Sequence, residues 1–384
     1  MSRASRLGRV SPERVYELAR HLTERDRELA LTLYQQRILT TDQLQLLFFT
    51  SRRRAQDRLL FLHRERVVDR FHPALRFGHG KAAGHWLLDE AGALLVSARL
   101  GVERKQLRWQ RRDDWGSHPQ LAHQLETNRF VTDLTTATLP TADLGVHLWW
   151  SSRRAAERLN QEPRPGFGIR SRVFPDTSFL LLTPAGAVEC VLEWDRGTET
   201  RATLAGKLDQ YDTAERVRRS GWRQPYSLLF VVPGPGRVQS LQQAYRDSQQ
   251  DRFQNPVASH DCWPRLVATL KDLQADGPLG RVWWPIDPDL HTGPFTLSEL
   301  PVSPAWGRLP IDETLGRRWR KDTPGFWERL SPLAANAGTA AAARASRPAS
   351  DARSADLRAA GIDGSMDDPD DANDNEHEEE VVSW

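Results

Sequence analysis

Asp176, Glu193 and Asp195 are the residues of this sequence whose types and spacing best suit chemistry. Asp176 follows Pro175 near the start of an apolar run that continues through Phe179 to Thr183. A Pro184-Ala185-Gly186 turn leads into a second apolar run, Ala187 to Trp194, with Glu193 and Asp195 at its end. Both runs read as strands, and two residues of strand separation puts Glu193 and Asp195 on one face. Carboxylates gathered at the edge of a hairpin are costly to desolvate unless a cation or a protonated partner compensates them. Oxygen ligands of this kind hold Mg2+ or Mn2+ for phosphodiester chemistry. A polar amphipathic helix, Thr200 to Arg219, follows, and places Lys207 and Tyr211 at i, i+4 on one face. The same acids also suit a plainer role. Glu193 and Glu199 can pair with Arg196 and Arg201 at the surface, and Thr198 can cap the helix after an Asp195-Arg196-Gly197 turn.

The hairpin resembles the active-site hairpin of the PD-(D/E)xK nuclease-like fold, in which a Pro-Asp precedes an acid-x-Lys triplet on the next strand. Pro175-Asp176 and Glu193 match, whereas Asp195 stands where the lysine belongs. The resemblance implies metal binding by Asp176 and Glu193, with Asp195 or Glu199 as a further ligand. Lys207 is placed to supply the displaced lysine's charge to phosphate or to the attacking water. The departure predicts a weak or silent nuclease-like domain, with Mg2+- or Mn2+-dependent hydrolysis as the alternative.

Composition bounds the partners. The 384 residues leave room for two domains and a tail, and no apolar run approaches a membrane span. Two cysteines, Cys190 and Cys262, allow neither a disulfide framework nor a cysteine zinc cage. The expected compartment is the cytoplasm. The net charge of +2 conceals a strong polarity. Ten acids and no Lys or Arg lie between Asp363 and Glu380, which leaves +12 on residues 1–362. Residues 1–112 carry 23 Lys and Arg against 12 acids, so nearly all the surplus sits in the first third. That is the footprint of a nucleic-acid-binding module.

The elements of that third agree. Ser11-Pro12 opens a short helix, and Thr23 with Asp26 has capping-box spacing for a helix ending near Gln36. Thr40 caps a second helix bearing Leu44, Leu47 and Phe48. Ser51 caps a third, with Ala55, Leu59 and Leu62 as its inward stripe. Val67 to Phe71 and His85 to Leu88 read as strands joined by a Gly78-His79-Gly80-Lys81 tip. Three helices and a basic-tipped hairpin are the layout of a winged helix-turn-helix. Arg52, Arg53, Arg54, Gln56 and Arg58 lie off the buried stripe and would face duplex DNA, and Arg76, His79 and Lys81 would bring the wing to its backbone. An arginine-rich helix can also be a solvated face, and a winged helix can serve protein contacts.

A helix from Glu90 to Leu100 closes this part, and the charged stretch 104–117, with Trp109 and Trp115, reads as a linker. The tryptophans suit packing against a neighbour or stacking on a base. Beyond it come a helix from Pro119 to about Thr136 that carries His123 and Glu126, a strand Val146 to Trp150, and the helical SSRRAAERLN. A metal role for His123 and Glu126 competes with a polar face or core hydrogen bonding. After a Pro- and Gly-rich loop and the hairpin helix, Tyr226 to Val232 is an all-apolar strand of the kind buried on both faces. Helices are expected around Ser240 to Arg252 and at Pro264 to Leu273, then a strand from Arg281 to Trp284. From about Leu333 the chain turns to Ala, Ser and Arg and then to acid, a composition expected to be disordered.

The succession from LTERDRELALTLYQQRILTTDQLQLLFFTSRRRAQDRLLFLHRERVVDRF through HPQLAHQLETNRF to EWDRGTE and VWWP resembles the replication-relaxation family, over roughly residues 20 to 290. The resemblance implies a DNA-handling protein of a plasmid or integrative element, with duplex DNA and plasmid replication or mobilisation proteins as partners and no membrane. A tyrosine relaxase, which the family's name suggests, is disfavoured because clustered histidines are missing near any tyrosine. The expected architecture is an α+β / α/β chain of two domains: a winged helix at 23–103, preceded by an arm at 1–22. A linker at 104–117 then leads to a restriction-endonuclease-like mixed sheet flanked by helices at 118–290. An extension at 291–332 and a disordered Ala/Arg then acidic tail at 333–384 complete it.

Overall fold

In the computed structural model, residues 9–301 are described except 73–83, 108, 110–114, 116–117, 142–143, 161–171, 221–225, 251–262 and 291. The expected wing tip, the Pro- and Gly-rich loop and the tail lie outside the described residues.

Local capping chemistry sets the first helices. Ser11 accepts the Arg14 N–H and Pro12 occupies the first turn of α1, Pro12–Ala19. Thr23 and Asp26 form a reciprocal capping box at the head of α2, Glu24–Gln36. After the short strand β1, Leu39–Thr40, Thr40 and Gln43 do the same for α3, Thr41–Phe48. Ser51 caps α4, Arg52–Arg64, which buries Ala55, Leu59 and Leu62. The hairpin strands β2, Val68–Phe71, and β3, His85–Leu88, pair antiparallel from Val68↔Leu88 to Phe71↔His85, and β1 adds to the other side of β3. Helix α5, Glu90–Leu100, packs back so closely that a Cβ at Gly92 would stand 2.1 Å from the Val67 carbonyl oxygen. Only glycine permits that approach.

The second sheet has six strands. Helix α6, Leu121–Thr138, is followed by β4, Gly145–Ser151, α7, Ser152–Leu159, β5, Thr177–Thr183, and β6, Gly186–Trp194. Then come α8, Arg201–Ser220, β7, Ser227–Val232, α9, Pro235–Gln250, β8, Arg265–Thr269, α10, Leu270–Asp276, and β9, Trp284–Pro285. The strands lie in the order β4-β5-β6-β7-β8-β9. The β4–β5 and β5–β6 pairs are antiparallel, β6–β7 and β7–β8 parallel, and β8–β9 antiparallel. Parallel neighbours need a crossover, which α8 and α9 provide. Leu204, Leu208, Tyr211, Leu241 and Ala244 of those helices pack with Val191, Phe230, Val232 and Val267 of the sheet. Phe130 of α6 meets the rings of Phe179, Trp194 and Trp283.

One hydrophobic core runs from Leu29, Leu44 and Leu59 in the first helices to Trp149, Phe179 and Leu229 in the larger sheet. Buried Asn128 of α6 reinforces the join by donating to the Gln36 and Ile38 carbonyls at 3.1 and 2.7 Å. Residues 104–117, read as a linker, contribute buried Leu107 and Trp115, so Trp115 packs.

Two expectations require correction. Arg265–Thr269 forms a strand, and the helix begins only at Leu270. Leu266, Val267 and Ala268 are all buried between β7 and β9, and the Thr269 hydroxyl accepts the Asp272 N–H as an N-cap. The last strand is Trp284–Pro285 and not Arg281 to Trp284, because Val282 and Trp283 are taken up by a turn and an isolated bridge to Phe295.

Candidate functional site

The end of β6 and the residue before β5 bring the acids together. The Asp176 N–H donates to the Leu192 carbonyl at 3.2 Å, and Asp176 Oδ2 accepts the Trp194 N–H at 2.7 Å. These two bonds fix Asp176 against the strand that carries Glu193. Its other oxygen, Oδ1, lies 2.6 Å from Nε2 of His123, in the first turn of α6. That hydrogen bond outweighs burial and raises the His123 pKa above its ordinary value.

Glu193 is 3% exposed and faces α8. Lys207 Nζ donates to its Oε2 at 3.2 Å and the Tyr211 hydroxyl donates to its Oε1. The i, i+4 spacing of Lys207 and Tyr211 thus delivers both to one carboxylate. Burial, followed by the nearby Asp176 charge, pushes the Glu193 carboxyl up to about 7. Burial alone would lower the Lys207 ammonium, but Glu193 and Glu199 together hold it above its usual range. Glu199 accepts from Lys207 at 2.9 Å.

Asp195 belongs to a different contact. Its carboxylate takes Nε and Nη2 of Arg237, from the first turn of α9, and its Oδ1 also accepts the Gly197 N–H at 2.7 Å. Arg237 Nη1 reaches the Glu199 carbonyl at 2.8 Å. Sequence reasoning missed Arg237, which lies 42 residues from its partner inside a Pro-Gly-Pro-Gly-Arg stretch with no local signal. It left His123 between two roles, and the structure gives it to Asp176. Glu126 accepts the Trp194 indole N–H at 3.1 Å and lies 3.6 Å from Arg196.

The donor set does not form a ready metal cage. All six oxygens of Asp176, Glu193 and Asp195 accept from protein donors. Among the described residues no group of three or more His, Cys, Asp or Glu side chains is arranged to hold an ion.

The first helices present the opposite picture. Arg52, Arg53, Arg54 and Gln56 are exposed on α4, and the Arg53 side chain is 93% exposed. Arg52 lies 3.0 Å from half-buried Asp42. Arg58 turns inward: its guanidinium grips the fully buried Asp26 of the capping box and lies over the Phe61 ring. Of the residues expected on the DNA-reading face of α4, Arg58 is thus the one whose guanidinium is already paired within the fold, with buried Asp26. Arg25, Arg54, Asp57, Arg58 and Phe61 line an open cleft of about 510 Å³ beside this face. Arg76, His79 and Lys81 lie outside the described residues.

The replication-relaxation family matches residues 31–232, a span that runs from α2 to the end of β7 and takes in both the arginine face and the carboxylate site. The chain belongs to the replication-relaxation family. No curated protein and no solved structure matches it. No helix of the described residues is long and apolar enough to cross a membrane.

Proposed function

We propose that this chain is a DNA-binding protein of a plasmid or integrative element, acting in replication, relaxation or mobilisation. Its first domain is a winged helix that engages duplex DNA, and its larger sheet is a nuclease-like domain that serves as a second binding surface with a weak or silent site. The observation that carries the reading is the exposed row Arg52, Arg53, Arg54 and Gln56 at the capped end of α4. Family membership supports the setting. The order α2, α3, α4 and then the β2–β3 hairpin is that of a winged helix, whose third helix enters the major groove. Arginine there suits bidentate contact with guanine or phosphate. The strand and helix order α6-β4-α7-β5-β6-α8-β7, with α7 inserted between the first two strands, supports the nuclease-like assignment. Full occupancy of the acids by protein donors supports a quiet site.

A second reading, metal-dependent hydrolysis of DNA, is favoured by the convergence of Lys207 on Glu193 beside Asp176. Under it Asp176 and Glu193 are the ligands of Mg2+ or Mn2+, with Asp195 released from Arg237 to join them. Supercoiled plasmid incubated with Mg2+, Mn2+ or EDTA separates the two. The first reading expects duplex binding without nicking. Metal-dependent nicking that disappears in Asp176→Ala/Glu193→Ala establishes the second.

A further inference from the structure

Immediately before the carboxylate site the chain alternates. Arg172 is exposed, Val173 buried, Phe174 exposed and Pro175 buried, and Asp176 is half-buried. An extended run with this alternation sets Arg172, Phe174 and Asp176 along one side, about 7 Å apart. Phe174 is 72% exposed, an unusual position for a ring so firmly held. Asn160 clamps the Val173 backbone from both sides, accepting its N–H at 2.8 Å and donating to its carbonyl at 2.7 Å. On the other side, Asp176 is bonded to Leu192 and Trp194 of β6. Pro175 further restricts Phe174 to extended backbone. The ring is thus presented to solvent from a segment that is fixed at both ends.

The surroundings select a polyanion. Arg172 is exposed two residues before the ring, Arg196 is exposed two residues beyond the Trp194 N–H that Asp176 binds, and the intervening Asp195 is neutralised by Arg237. A rigid aromatic face beside cations is what an unpaired nucleobase stacks on, and stacking tolerates any base because each has a π-face. We infer that Phe174 is the stacking platform for an unpaired nucleotide of a DNA strand led across the carboxylate site. This rests on the reading of the chain as a DNA-binding protein and assigns its second surface to unpaired DNA.

The test uses the full chain and three labelled oligonucleotides of one sequence: a duplex, the same duplex with a short central bubble, and the single strand. A 2-aminopurine in the unpaired tract reports stacking by loss of fluorescence. Wild type is expected to bind the bubble more tightly than the duplex and to quench the probe. Phe174→Ala should lose about tenfold in bubble affinity and the quenching, with duplex affinity unchanged, and Phe174→Trp should restore both. A side chain so exposed can be truncated without unfolding the protein. Duplex binding with no preference for the bubble, or a Phe174→Ala variant that binds and quenches like wild type, overturns the inference and leaves the proposed function standing. Binding of neither duplex nor bubble overturns both.

Discussion

The arginines of α4 and the arginine of α9 show two uses of one side chain. Arg53 stands 93% exposed, 3.9 Å from an Asp57 that is itself 72% exposed, in a pair worth about 0–1 kcal/mol. Arg237 is 13% exposed and spends its fork on Asp195, itself 3% exposed. The first charge remains available to a polyanion, whereas the second is consumed by the fold. Arg58 shows that sequence position does not decide which use applies: it shares a helix with Arg53 yet is committed to buried Asp26. A count of basic residues therefore overstates a binding face, and the partners of each guanidinium correct it.

The contrast can be broken by mutation. Replacing Arg52, Arg53 and Arg54 together with Ala should cost the largest effect, about a hundredfold in duplex affinity at low salt by fluorescence anisotropy, with the melting temperature almost unmoved. Arg237→Ala should do the reverse, lowering stability by about 3 kcal/mol in urea unfolding because it strands a buried carboxylate. Arg58→Ala should follow Arg237 and not its neighbours, at about 2 kcal/mol, the smaller figure reflecting a guanidinium that is itself a quarter exposed. If Arg58→Ala instead weakens DNA binding without loss of stability, the division drawn here is misplaced.

A pH titration sharpens the comparison further, with a smaller effect. The Glu193 carboxyl rises from 4.5 to about 7 on folding, and the His123 pKa is also raised. For both groups the folded chain holds its proton more tightly than the unfolded one. Their contribution to stability is therefore complete below the unfolded values and is lost as pH climbs through the folded ones. Thermal unfolding should show the melting temperature falling between about pH 4.5 and about pH 7, continuing as His123 deprotonates. Glu193→Gln should flatten the first part of that fall. A melting temperature that rises across this window in wild type would contradict the assigned environment of Glu193.

Much of this was legible because it is local. Ser11, Thr23, Thr40 and Ser51 announce their helices through bonds spanning three residues, and all four cap as expected. Lys207 and Tyr211 share a face by helical geometry alone. What was hidden crosses long stretches of chain. His123 meets Asp176 at a separation of 53 residues and Arg265 meets Glu215 at 50, and neither has a spacing to read. The misreading at 264–273 has a different cause. Five residues, Arg-Leu-Val-Ala-Thr, are too few to distinguish strand from helix by periodicity. Thr269 three residues before Asp272 was the available signal, since an N-cap there ends whatever precedes it.

The central claim is that exposed arginines at the start of α4 carry duplex binding. The most direct test is the salt dependence of duplex affinity for the full chain and for Arg52→Ala/Arg53→Ala/Arg54→Ala. The account predicts tight wild-type binding at low salt with a steep log–log slope, and a slope shallower by about 2–3 in the variant, as each lost phosphate contact removes about 0.9. Equal slopes and equal affinities would contradict it, and would move DNA recognition away from this helix.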